Sequence, residues 1–119
     1  MRRLLFTLLM SLFPGAAHAA GHGFACDLRT MTKEERGEHA ELTRRLRSAV
    51  EERRELPNGY AFRLPSEHWL PAARWAELER KCCPFLAFEL NAAAEHGPLW
   101  LRITGRSGAK TFMKEELGW

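Results

Sequence analysis

Most of the features that would assign a function on sight are missing from this sequence. Its three cysteines form no C-x-x-C, which removes the spacing common to zinc ribbons and dithiol oxidoreductases. Gly105 to Thr111 contains glycine, lysine and threonine, but not at G-x-x-x-x-G-K-[ST] spacing, so a phosphate loop is excluded. No internal repeat and no low-complexity tract is present. No apolar run reaches the ~20 residues that span a bilayer. Charge of one sign is also scarce. Eighteen Lys and Arg face fifteen Asp and Glu, a formal charge of +3. That balance argues against nucleic acid as a partner.

What is present fits one soluble domain: 119 residues, 45% hydrophobic and 28% charged. The start of the chain has a different character. Met1-Arg2-Arg3 is a positive n-region, Leu4 to Phe13 a short apolar run, Pro14-Gly15 a break, and Ala17-His18-Ala19 an A-x-A cleavage site. Residues 1–19 therefore read as a secretory signal peptide, and the mature protein as periplasmic or secreted, with no membrane association after cleavage. Cleavage takes 19 of the 119 residues and two arginines, leaving 100 residues and a formal charge of +1. The new N-terminus, Ala20-Gly21-His22, offers an amine, two amides and an imidazole. Those four nitrogens suit square-planar Cu(II) or Ni(II), which makes His22 a candidate ligand.

Residues 20–31 are expected to form an N-terminal arm, and residues 32–119 an α+β domain. Thr32-Lys33-Glu34-Glu35 matches a capping box, so a helix should run from Lys33 to about Leu56. Leu42, Leu46, Ala49, Val50 and Arg53 make a narrow stripe along it, with Glu41–Arg45 as a supporting pair. Pro57-Asn58-Gly59 signals a turn, and Tyr60 to Leu64 alternates as a strand with Tyr60, Phe62 and Leu64 inward. A second helix contains Pro71 near its start and ends at Cys82 or Cys83. Trp75, Leu78 and Cys82 fall at i, i+3 and i+7, so Cys82 faces the core and Cys83 points off that face. Phe85 to Asn91 and Leu99 to Thr104 should pair as an antiparallel hairpin around Glu95-His96-Gly97-Pro98. Ala109 to Leu117 closes the chain as a short helix. The expected order is α-β-α-β-β-α, a small single domain with a three-stranded, mostly antiparallel sheet covered by helices.

Four stretches carry a resemblance. They are Cys26-Asp27-Leu28 ahead of Glu34-Glu35-Arg36, Glu55 to Phe62, Glu79-Arg80-Lys81-Cys82-Cys83-Pro84-Phe85-Leu86-Ala87-Phe88, and Gly97 to Gly105. Together they resemble a family of small, largely uncharacterised bacterial proteins with an N-terminal cysteine and an E-R-x-C-C-P-F motif. The Cys-Cys-Pro-Phe segment is also similar to the C-terminal segment of some MerR-like, metal-responsive regulators. The chain has no DNA-binding helices of that type, so regulation does not carry over. The resemblance implies that Cys26, Cys82 and Cys83 belong to one site.

Three chemistries follow from three such cysteines. Thiolate sulfur favours Cu(I), Zn(II) and other thiophilic ions, so Cys26, Cys82 and Cys83 together can hold a soft metal or metalloid ion. Alternatively, Cys26 forms a disulfide with Cys82 or Cys83, stapling the arm to the second helix in a non-enzymatic structural or interaction protein. Adjacent cysteines cannot easily pair with each other. Their Cα atoms lie ~3.8 Å apart, below the ~4.4–6.8 Å of ordinary disulfides. A thiol-based redox or organometal-cleaving enzyme is the third reading, with Asp27 beside Cys26 as an acid. Arg80 and Lys81 favour a nearby thiolate, whereas a helix C-terminus disfavours one. His39, His68 and His96 read as surface residues, and Trp69, Trp75 and Trp100 as core or core edge.

Overall fold

Thr32 opens the first helix as the capping box requires. Its hydroxyl accepts from the Glu35 amide at 3.1 Å, and the Glu35 carboxylate accepts from the Thr32 amide at 3.0 Å. The computed structural model describes residues 24–119. Helix α1 spans Lys33–Ala49 and buries Leu46 completely, with Leu42, Ala49 and Val50 half-buried beside it. Glu41 pairs with Arg44 rather than with Arg45.

The helix stops seven residues short of the expected Leu56. Strand β1, Glu52–Leu56, follows directly. Glu, Arg and Leu favour helix in isolation, but tertiary pairing overrides that preference here. Pro57 and Asn58 turn the chain, and β1 lies antiparallel against β2, Gly59–Leu64. Arg63 on β2 faces Glu52 across the strands and bonds it at 3.5 Å. Being charged, β1 is a protected sheet edge. Gly59 is obligatory for a different reason. A Cβ there would lie 1.9 Å from the Ile103 carbonyl oxygen on the neighbouring strand.

Helix α2 spans Trp69–Cys82, and strands β3 (Leu86–Ala92) and β4 (Leu99–Gly105) form the expected antiparallel hairpin. Helix α3 covers Ala109–Leu117. Strand β4 also pairs with β2, so the sheet has four strands in the order β1-β2-β4-β3, all antiparallel. The expected three-stranded sheet is thus corrected by one strand, hidden in the sequence by its helix-like composition.

Phe62, Leu64, Leu99, Leu101 and Ile103 on the sheet, with Leu46, Leu78 and Met113 from the helices, make one buried core. Helices cover that face. The opposite face is polar: Arg102 bonds Glu89 at 2.9 Å, and the Arg54 guanidinium lies 4.4 Å from the Trp100 ring centre. Trp75 is fully buried, whereas Trp69 is 42% exposed and is not part of the core. No helix of the described residues is long and apolar enough to cross a membrane.

Candidate thiol and metal centre

The site forms where α2 runs out. Proline disfavours helical dihedrals in the residue before it, and Cys83 ahead of Pro84 leaves the helix at φ −124°, ψ 68°. This exit turns the Cys83 side chain inward. Helical spacing placed it off the buried face, but both Cys82 and Cys83 are buried. The end of α2 presents orphan carbonyls, and the arm satisfies one of them. The Asp27 amide donates to the Cys82 carbonyl at 2.9 Å, which brings Cys26 alongside. Phe24 anchors the arm by packing edge-on against Phe85, ring centres 5.3 Å apart.

Cys26 and Cys83 form a disulfide, with Cα atoms 4.8 Å apart and a sequence separation of 57. Cys82 is the free thiol. Its sulfur lies 3.7 Å from that of Cys83 and donates to the Glu79 carbonyl at 3.5 Å. The structure thus brings together all three cysteines. His22, the remaining candidate ligand, lies outside the described residues, as do residues 1–19, which were expected to be a signal peptide.

Sequence reasoning missed two members of the cluster. Glu79 is 4% exposed, and its carboxylate lies 3.5 Å from the Cys83 sulfur and 3.9 Å from that of Cys82. One turn of helix separates it from both cysteines, so it shares the stripe of Trp75, Leu78 and Cys82. A lone carboxylate inside an apolar stripe was the available signal. His39, expected on the surface, instead binds Glu79 through Nε2 and stacks on Trp75, ring centres 6.4 Å apart. No local pattern marks it, because its partners come from the other helix. The sulfurs of Cys26, Cys82 and Cys83 and one carboxylate oxygen of Glu79 all lie within 4.8 Å of one another.

Asp27 does not serve as the acid of this site. Its oxygens accept from Arg29 Nε and Nη2 at 2.9 and 3.1 Å. That contact holds the carboxyl below its ordinary value, in its ionised form.

Burial, and then the neighbouring Glu79 charge, push the Cys82 thiol up from 9.0 to about 11. The thiolate is the reactive form, so alkylation at neutral pH should be roughly a hundredfold slower than for the same thiol in urea, by ionisation alone. Glu79→Gln removes the neighbouring charge and should speed labelling of the folded protein. Iodoacetamide labelling followed by mass spectrometry reads both rates. Equal rates for folded and unfolded wild type would refute the assignment.

Comparison of the chain with protein-family profiles, with curated proteins and with solved structures returns no match.

Proposed function

We propose that the protein is an exported member of the E-R-x-C-C-P-F family, and that it binds a soft metal or metalloid ion through Cys26, Cys82 and Cys83 once the Cys26–Cys83 bridge is reduced. The observation that carries this reading is the convergence of three sulfurs and one buried carboxylate within 4.8 Å. Three thiolates suit a thiophilic ion, and a carboxylate oxygen beside them can complete a fourth position. Reduction by an external dithiol converts the bridge into two thiols. The ion then displaces the thiol protons, so affinity weakens as pH falls.

The bridge supports a second reading, a structural staple in which Cys82 is a spare, small buried side chain. Thiol catalysis is the reading the site supports least. Its one free thiol is buried, with ionisation pushed upward, and such thiols are inert.

Titration of the reduced protein with Cu(I), Zn(II), Hg(II) and As(III) separates the first two readings. Serine at any of the three cysteines should lower affinity by at least the roughly 10–100-fold that loss of even an outer-shell partner costs. Absence of stoichiometric binding by reduced wild type would leave only the staple. The same protein, recovered from the periplasm, should show by intact mass the loss of residues 1–19 and the deficit of one disulfide.

A further inference from the structure

The space above the sulfurs is far larger than an ion needs. A cleft of about 830 Å³ opens between the arm, α1, α2 and α3. Small-molecule sites typically enclose ~300–1,000 Å³ and combine apolar walls with a few convergent polar groups. This cleft has that composition. Cys26, Cys82, Glu79 and His39 lie along it together, and Phe24, Leu28, Phe112 and Leu117 supply apolar wall. Leu28 is half exposed although no core demands it, and it borders the cleft on the arm side.

We infer that the ligand of this site is a thiophilic ion carrying an organic substituent, of the type R–As(III) or R–Hg(II), with sulfur holding the ion and the cleft wall holding R. This inference rests on the metal reading and narrows it to a ligand class. The chemistry balances without a further redox step. Once an external dithiol has reduced the bridge, R–As(OH)2 and two protein thiols give R–As bonded to two sulfurs and two waters. A cation R–Hg+ needs one thiol of the reduced site, forms one Hg–S bond and releases one proton. A bare ion makes no use of the apolar wall, whereas a phenyl or alkyl group buries surface against it.

The test compares phenylarsine oxide with arsenite, titrated into reduced wild type, Leu28→Asp and Thr111→Trp. Leu28 and Thr111 are exposed enough to change without touching the core. The first substitution puts a charge on the wall, and the second fills the cleft. Both variants should lose about tenfold or more in affinity for phenylarsine oxide, equivalent to about 1.4 kcal/mol, and change by less than about twofold for arsenite. Phenylarsine oxide binding equally well to all three proteins would overturn the inference while leaving the metal reading intact, provided arsenite binds. Equal losses for both compounds would overturn it in the same way. Failure of both compounds to bind wild type would end the inference and the metal reading together.

Discussion

Oxidised protein carrying Cys26→Ser is expected to lose about 4 kcal/mol of stability. The bridge it removes joins cysteines at a sequence separation of 57. In the chain-entropy model a loop of that size is worth between the ~3 kcal/mol of a 15-residue loop and the ~4.7 of a 100-residue loop. For a domain of this size, with roughly 4–8 °C per kcal/mol, the melting temperature should drop by about 20 °C. Cys83→Ser should fall by a similar amount, because either change opens the same loop. Cys82→Ala leaves the bridge intact and should cost only about 1 kcal/mol, the ordinary scale for a single buried substitution. Reductant supplies the internal control. It should lower wild type to the level of Cys26→Ser and leave that variant unmoved. Wild type and Cys26→Ser melting together without reductant would show that the bridge does not hold the arm. The other ties of the arm, which include the Asp27–Cys82 backbone hydrogen bond, the Phe24 ring, buried Met31 and the Arg36 bond to its carbonyl at 2.8 Å, are left in place by the substitution, so the expected loss lies in the cross-link.

How much of this was legible in the sequence depends on how local each cause is. The capping box at Thr32 and Glu35 is written in four residues, and helix α1 starts where it says. The alternation in Leu86–Ala92 and Leu99–Gly105 likewise produced the hairpin it implied. Strand β1 was illegible because its residues favour helix. What makes it a strand is pairing with β2 and a turn at Pro57-Asn58. The same division runs through the site. Pro84 marked the bend that Cys83 needs, but helical extrapolation aimed the sulfur outward, since it ignored the non-helical dihedrals that proline enforces. The choice between Cys82 and Cys83 as partner for Cys26 turned on that one residue. Glu79 was readable from its place on the stripe of Trp75 and Cys82. His39 was not, because its contact with Glu79 depends on how α1 lies on α2. That packing buries Leu46 of α1 in one core with Ala72, Trp75 and Leu78 of α2 and brings Arg74 to Glu38 at 2.8 and 2.9 Å, contacts between distant segments that no single stretch reveals.

Trp75→Ala should be as damaging as loss of the bridge, by a different route. The ring is fully buried. It packs against Phe88 and Trp119 with ring centres 5.8 and 5.0 Å away, and stacks on His39. Its Nε1–H donates to the Thr43 hydroxyl at 2.9 Å, and that hydroxyl donates to the His39 carbonyl at 2.7 Å. Truncating a buried tryptophan costs roughly 3–5 kcal/mol, since the neighbours collapse only partly into the space. Urea unfolding should show that loss as a lower midpoint with an unchanged slope. Thr43→Val isolates the polar part. It keeps the shape and leaves the indole N–H without its acceptor, at a cost of about 1–3 kcal/mol. Trp75→Phe should fall between wild type and alanine, because it restores much of the volume without the donor. The consequence reaches the thiols through Glu79, one helical turn further on. With the indole gone, His39 loses its stacking partner, the cleft floor opens, and the Cys82 thiol loses part of the burial that raises it. Alkylation of Cys82 in folded Trp75→Ala should therefore be faster than in folded wild type, although the substitution lies seven residues from that sulfur. Unchanged labelling in a variant that has lost the expected stability would show that Trp75 supports the core alone and not the site.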